Sequence, residues 1–500
     1  MNKIITRDWI NDDIVIRCGV TYKMPRKVLI ESYTKQDLCQ FINFWKVELL
    51  SNGAKRGDKI GYCIEPSDIH STALMFAAFE LGMSVVVLHR PNNERECLAP
   101  KSNSHLPLDF FVYLAAYEHI PLLVTAIVHF SRNSKKVLVY GNHDWQNQRS
   151  TLKSDEETPI LAQPGDVALL CNSSGTTGVP KLISHTHEFF HDLCTYNWEV
   201  LKYDPEDHFM HLSSLNHGAA LSFVLPALHI CKHNYFYVDM GGKGELQSDP
   251  FYQEYYDLTN DCIEHGITRI FCAGGGAINE FIKHLRARDI KLPNTNIMIL
   301  SFISPDWRAA ISESVLQSIN SPFGCSEVCG PVFMTWLDKD TVDKFDPRYL
   351  GYPTEGFYDT KVIDGRIHTS TPYNQVVFDD IVEERADGYY FKSKNRLQKL
   401  NDIDINPVDI MEILEHYNTR YAFEIYIDEV YNELYILTSD SKTYKMGKFI
   451  VEDIDSFYHG KIPTANVIYD PELNQATISN KADKDKLAGI VERYRLTKNS

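Results

Sequence analysis

Apolar and polar positions change period repeatedly along the first ninety residues. Behind Tyr33-Thr34-Lys35, the residues Leu38, Phe41, Ile42, Trp45, Leu49 and Leu50 recur every three or four positions, which predicts an amphipathic helix stopped at Asn52-Gly53. Lys55 to Tyr62 reads as turn and strand. A second amphipathic helix, Ser71 to Leu81, stops at Gly82 and gives way to the apolar run Ser84 to Leu88, a buried strand. Strand, helix and strand at this spacing predict a wound α/β unit with a parallel sheet. The stretch from Phe110 to Phe130 is apolar without a clear period, and Asn142 to Thr158 reads as a surface loop. The α/β rhythm then recurs at Leu212 to Ile230, Tyr235 to Met240, Ile267 to Cys272 and Ile297 to Leu300. From residue 405 the texture changes to a helix, Asp409 to His416, two short strands, Phe423 to Ile427 and Leu434 to Leu437, and an acidic, lysine-rich tail. That describes a small α+β domain. Neither a fixed-period repeat nor a low-complexity tract interrupts the chain, which excludes solenoids.

Composition narrows the setting. A chain of 500 residues, 44% hydrophobic and 23% charged, is too long for one core and natural for two or three domains. Its net charge of −17 repels phosphate backbones and anionic lipid, so neither a nucleic acid nor a membrane surface is the expected partner. No apolar run approaches the roughly 18 residues of a membrane span. Met1 to Arg17 alternates charge with Ile and Val, unlike a signal peptide, and the expected location is cytoplasmic. Eleven cysteines without C-x-x-C pairing read as reduced thiols serving as small buried fillers. The His185-x-His187 pair offers only two ligands with no Cys nearby to complete a set, so polar packing is expected there rather than zinc.

The richest local chemistry lies in LLCNSSGTTGVPKLISHTH, residues 169 to 187. An apolar strand, Val167 to Cys171, breaks into Asn172, Ser173, Ser174, Gly175, Thr176, Thr177 and Gly178 before Pro180 and Lys181. Two glycines let backbone N–H groups approach a ligand, while four hydroxyls and a lysine offer donors to several oxygens at once, which suits a polyphosphate. The order is not that of a Walker loop. Downstream, Phe323-Gly324-Cys325-Ser326-Glu327 combines an aromatic that can stack on a base with a hydroxyl and a carboxylate suited to an α-phosphate and its Mg²⁺.

Ser-Ser-Gly-Thr-Thr-Gly-x-Pro-Lys followed by Ser-His-x-His resembles the phosphate loop of the adenylate-forming superfamily, which holds acyl- and aryl-CoA ligases, luciferases and peptide-synthetase adenylation domains. Gly53, Gly57 and Asp58 resemble its opening turn, and Phe323 to Glu327 its aromatic-Gly-x-Thr/Ser-Glu motif. Leu215-Asn216-His217-Gly218-Ala219 is similar to the segment whose His or aromatic gates the acyl pocket; a satisfied core histidine is the equal alternative. Asp380, before Ile381 and upstream of Asp387-Gly388-Tyr389, matches the aspartate that holds the ribose. The hinge resemblance is partial: Lys399 to Ile410 matches, but Lys392-Ser393 replaces Gly-Arg, the hinge residue falls on Asn395, Arg396 is left to supply the ribose contact, and Asp402 stands in the place of a glycine. Thr477-Ile478-Ser479-Asn480-Lys481 resembles the segment with the mobile catalytic lysine. Ser301-Phe302-Ile303-Ser304-Pro305 replaces a Gly/Ala-rich loop edging the pocket, and Pro322 precedes the aromatic.

The resemblance implies a large N-terminal α/β core with wound sheets, residues 1–394, and a small C-terminal α+β lid, residues 395–500. It implies formation of an acyl-adenylate and pyrophosphate from ATP and a small-molecule carboxylic acid. Lys481, Thr176 and Ser326 would neutralise the α-phosphate. Ser173, Ser174, Gly175, Thr177, Gly178 and Lys181 would hold the other phosphates. Glu327 and Thr176 would serve Mg²⁺, Phe323 and Gly324 the adenine, and Asp380 and Arg396 the ribose. His217, Gly218, Phe302, Ile303, Ser304 and Pro322 would line the acid pocket. Bulky Phe302 and Ile303, and uncharged neighbours of His217, point to a small aryl or short acyl acid. The acceptor is expected to be an external thiol, CoA or a phosphopantetheinyl carrier protein in trans. Transfer to an amine, motivated by Asp402, and a nucleotide-holding module without turnover, motivated by the lost Gly-Arg, remain open.

Overall fold

A computed structural model of the chain describes residues 3–21, 28–64, 68–88, 106–115, 121–141, 149–172, 182–212, 218–237, 250–272, 275–300, 305–346, 348–394, 398–400, 403–405, 410, 423–428, 433–438, 444–457, 465–470, 477–478, 481–482 and 484–498. The chain divides into two compact units. The larger comprises Met1–Ile363, His368–Phe378 and Glu384–Tyr390; the smaller comprises Asp364–Ile367, Asp379–Glu383 and Phe391–Ser500.

The first expected helix is Lys35–Ser51. Thr34 and Asp37 close a capping box at its start, which satisfies two otherwise orphaned N–H groups, and Leu38, Phe41, Ile42, Trp45 and Leu49 are buried. The second is Ile69–Glu80, capped by Asp68 and buried along its whole length. It ends where Gly82 adopts φ 69° and the N–H groups of Gly82 and Met83 reach the carbonyls of Phe79 and Ala78, a stop that glycine permits without steric cost. Both helices serve a six-stranded sheet in the order Ser134–Tyr140, Leu108–Leu114, Lys59–Cys63, Ser84–Val86, Val167–Asn172 and Leu182–Thr186. All neighbours are parallel except the last pair. The unresolved apolar stretch is the strand Leu108–Leu114 followed by the helix Pro121–Arg132. Two periods meet there, and so no single one could emerge.

A second, larger sheet has a parallel centre. Val15–Thr21, His233–Phe236, His208–His211, Arg269–Cys272, Leu292–Ile299 and Leu316–Phe323 lie side by side, and Phe333–Leu337 and Tyr349–Pro353 continue it antiparallel. Alternate side chains feed two cores. Ile270, Ile297, Ile299 and Ile319 pack with Phe281, Trp307 and Ile311 on one face. Phe209, Phe271 and Met298 pack with Phe223 and Ala227 on the other. Two-sided burial explains why Ile267 to Cys272 and Ile297 to Leu300 read as apolar runs.

The smaller unit contains the sheet Phe423–Asp428, Glu433–Thr438 and Ala465–Tyr469. Ile436 faces Ile450 and Ile454 of the helix Gly447–Phe457. Tyr435 and Leu437 face Leu487, Ile490 and Val491 of the helix Lys484–Lys498. The acidic, lysine-rich tail therefore holds a docked helix, because Leu487, Ile490 and Val491 fall on one face. Asp409 and residues 411 to 416 of the helix expected after residue 405 lie outside the described residues.

Candidate active site

Every expected ligand loop of the larger unit leaves the carboxyl end of a parallel strand, the edge where open α/β sheets bind ligands. Val167–Asn172 leads into Ser173 to Lys181, all of which lie outside the described residues. In the larger sheet, His208–His211 leads towards His217, Leu292–Ile299 towards Phe302, Ile303 and Ser304, and Leu316–Phe323 into Gly324 to Glu327. His217 and residues 302 to 304 are likewise outside the described residues. Gly218 opens the helix Gly218–Ile230, and Pro322 is buried opposite Met334.

The described heart of the site is the turn from Phe323 to Gly330. Three side chains from distant parts of the chain hold three consecutive carbonyls of it. The Nε2–H of His185 donates to Ser326 O at 2.9 Å, Asn374 Nδ2 to Glu327 O at 2.7 Å, and the Tyr358 hydroxyl to Val328 O at 3.1 Å. Because a carbonyl can only accept, the contact with Ser326 fixes the proton of His185 on Nε2. Thr371 donates to Asn374 Oδ1 at 2.7 Å and so aims the amide. The backbone doubles back so closely that a Cβ at Gly324 would overlap the Gly330 carbonyl, and one at Gly330 would overlap the Tyr358 hydroxyl. Phe323 stacks on Phe378, with centroids 6.1 Å apart and planes at 27°.

His185 lies on the strand Leu182–Thr186, directly after the hydroxyl-rich loop, and Cys171 lies on the strand directly before it. Cys329 Sγ is 3.1 Å from His185 Nε2, and the Cys171 thiol has Cys329 and His185 as side-chain partners. Both strands that carry the loop are therefore seated against the Ser326–Cys329 turn. The hydrogen bond with Cys329, assisted by His185, holds the Cys171 thiol below the ordinary range despite burial; the same contact and burial push Cys329 up. The fold brings two cysteines beside His185. His187 is fully buried edge-to-face with Phe79, neither ring nitrogen has a hydrogen-bond partner among the described residues, and desolvation, opposed by Asp166, lowers it to about 4. Burial, together with the nearby Glu327 carboxylate, pushes the Cys325 thiol well up.

Asp380 is half-buried on the strand Gln375–Arg385 and clusters with the smaller unit. Lys481 opens the short strand Lys481–Ala482 and pairs with Ile478 in the smaller unit. Asn395, Arg396 and Asp402 lie outside the described residues. His185, Asn374 and Tyr358 were not singled out as site residues from sequence; only the Ser-His-x-His run gave a local signal for the first.

Residues 34–240 match the AMP-binding enzyme family. The coordinates superpose on adenylate-forming enzymes over nearly their whole length. McyG A-PCP complexed with phenylalanyl-adenylate has a TM-score of 0.75 at 15% identity, covering 98% of this chain and 96% of that one. The chain has the adenylate-forming fold. O-succinylbenzoate coenzyme A synthetase (MenE) from Bacillus subtilis, in complex with AMP, is similar with a TM-score of 0.72, 14% identity and 96% of each chain covered. The amide bond synthetase McbA from Marinactinospora thermotolerans has a TM-score of 0.68 at 13% identity, covering 97% of this chain and 98% of that one. In sequence, the non-ribosomal peptide synthetase CmlP of Streptomyces venezuelae is 29% identical over 131 residues, 25% of this chain and 14% of that protein. No helix among the described residues is long and apolar enough to cross a membrane.

Proposed function

We propose that the chain activates a carboxylic acid with ATP, giving an acyl-adenylate and pyrophosphate. A carboxylate oxygen attacks the α-phosphorus as the bond to the bridging oxygen of pyrophosphate breaks. Carboxylates are weak nucleophiles, so positioning and charge neutralisation carry the rate. The observation that supports this reading most is the seating of Cys171 and His185, on the strands directly before and after the hydroxyl-rich loop, against the Ser326–Cys329 turn. Ser173, Ser174, Gly175, Thr177, Gly178 and Lys181 bind the β- and γ-phosphates, and Thr176, Ser326 and Lys481 meet the α-phosphate. Phe323 and Gly324 border the adenine, while Asp380 and Arg396 take the ribose. His217, Gly218, Phe302, Ile303, Ser304 and Pro322 border the acid.

The donor set fits a magnesium ion travelling with ATP. Glu327 is a half-buried carboxylate without a cationic partner among the described residues, and oxygen ligands suit this ion. Glu327, with Thr176, would hold it, and it would supply charge neutralisation at the phosphates. Glu327→Gln is expected to move the magnesium titration of pyrophosphate exchange to higher concentration; an unchanged titration would remove Glu327 from this role.

The preferred acid is a small aryl or short acyl acid, and the second step passes the acyl group to CoA or a carrier-protein thiol in the cytoplasm. Lid rotation about Asn395, between a core of residues 1–394 and a lid of residues 395–500, would exchange the Lys481 face for the pantetheine face. Pyrophosphate release across benzoate-like, short aliphatic, C12 to C16 and amino acids tests the whole reading: a clear preference for a long chain or an amino acid overturns the pocket assignment, and no release with any acid overturns the activity. A second reading, transfer of the acyl group to an amine, is favoured by Asp402, whose carboxylate would lie beside a phosphate-bearing thiol. Product analysis with CoA and with amines separates the two.

A further inference from the structure

Cys171 and Cys329 are 158 positions apart in sequence (329 − 171), the first on the strand Val167–Asn172 and the second in the turn after Leu316–Phe323, and their thiols meet. They are 3% and 0% exposed, and His185 Nε2 stands 3.1 Å from the Cys329 sulfur. Their surroundings differ from those of three other buried thiols. Cys194, Cys231 and Cys262 are set in apolar packing, where desolvation alone or as the leading cause suppresses the thiolate. Cys171 has a second sulfur and an imidazole N–H as partners. A thiol flanked by a hydrogen-bond donor and a second thiol has what disulfide formation requires, an attacking sulfur and a resolving one.

We propose that Cys171 and Cys329 form a reversible disulfide under peroxide, a modification site that fastens the strand entering the phosphate loop to the Ser326–Glu327 turn. The Cys171 thiolate attacks one oxygen of hydrogen peroxide, the O–O bond breaks, and the departing hydroxide takes a proton to become water, leaving a sulfenic acid. The Cys329 sulfur then attacks the Cys171 sulfur. The S–O bond breaks, and the hydroxide leaves with the Cys329 proton as a second water. Two thiols are oxidised, one peroxide is reduced, and two waters form. His185 Nε2–H stabilises anionic sulfur during the exchange and takes no proton.

The functional consequence rests on the adenylation reading. Bond formation draws the sulfurs from non-bonded contact to about 2 Å, which pulls the loop-bearing strand and the turn together. Misplacement of the phosphate-binding groups on the order of 1 Å is enough to cost about tenfold or more in pyrophosphate exchange.

The test uses the full chain. Reduced protein is exposed to hydrogen peroxide, free thiols are blocked with N-ethylmaleimide, and the sample is digested without reductant. The expected result is a peptide pair joined through Cys171 and Cys329 that dithiothreitol separates, persists in Cys325→Ser and is lost in Cys171→Ser and in Cys329→Ser. Exchange should fall by the factor above and return with dithiothreitol. Full maleimide labelling of Cys171 and Cys329 in oxidised, unfolded wild-type protein overturns the proposal, as does a link to Cys325 in place of either. The wild-type result stands without any variant folding. The linkage assay is also blind to nucleotide chemistry, so reduced protein inert towards every acid overturns the adenylation reading and leaves the disulfide standing.

Discussion

Tyr358 shows how much of the site's backbone is held by side chains from elsewhere in the chain. Its hydroxyl holds Val328 O and overlies Gly330, while its ring edges against Tyr196 and Phe357. Tyr358→Phe keeps the ring and removes one donor, leaving a buried carbonyl short of a partner, at a cost of about 1–3 kcal/mol. The expected outcome is a lower urea midpoint together with a raised KM for MgATP in exchange, the KM for the acid changing less. Two buried imidazoles contribute to acid sensitivity. Desolvation lowers His187 and His211 to about 4, the latter despite its 3.0 Å bond to Asn234. Above the ordinary value near 6.5 both states are neutral and no penalty exists. As pH falls below it, the unfolded chain takes up protons that the folded chain refuses, so stability declines until about pH 4, by up to roughly 3 kcal/mol per histidine. Urea midpoints measured from pH 7 to 4 should fall accordingly, and His211→Gln should flatten part of the slope.

At the scale of elements, the two N-terminal helices are joined by a buried charge cluster. Lys46 and Glu80, both with fully buried side chains, are 2.7 Å apart, and Arg7 completes the group with a 2.7 Å contact to Glu80. Burial pushes the Glu80 carboxyl up, but hydrogen bonding from Arg7 and the charges of Lys46 and Arg7 outweigh it and hold it below the usual range. Glu80→Gln strands the Lys46 ammonium in the core, and a loss of about 3–5 kcal/mol is expected in chemical denaturation. None of this could be read from the pattern of residues 35–81, although the helices themselves could. Leu38, Phe41, Trp45 and Leu49 announce a stripe, and Gly53 and Gly82 announce stops, because those signals act over a few residues. The parallel strands Ser84–Val86, Val167–Asn172 and Arg269–Cys272 were legible as apolar runs for the same reason, whereas the polar-interrupted His208–His211 and Leu316–Phe323 were not. The clasp on Ser326, Glu327 and Val328 was not, since His185, Tyr358 and Asn374 come from three separate segments that only the tertiary fold assembles. The helix Lys484–Lys498 was missed because its three buried positions are embedded in a highly charged stretch, and charge masked the period.

At the scale of the molecule, catalysis as proposed needs a residue from the smaller unit. Lys481→Ala is expected to lower exchange by about 10²-fold or more, since it removes one preorganised donor from charge that develops in the transition state. Binding of a fluorescent ATP analogue should be nearly unchanged; exchange close to wild type would detach Lys481 from the chemistry. The chain itself passes between the two units five times, after residues 363, 367, 378, 383 and 390. Asp364–Ile367 and Asp379–Glu383 thus belong with a body whose remaining residues begin at Phe391. A recombinant exchange of carboxy-terminal halves between this protein and another adenylate-former, spliced at a single junction near residue 390, would deliver a body missing two of its own pieces and leave their counterparts behind on the foreign scaffold. A functional chimaera therefore has to transplant three stretches of coding sequence rather than one.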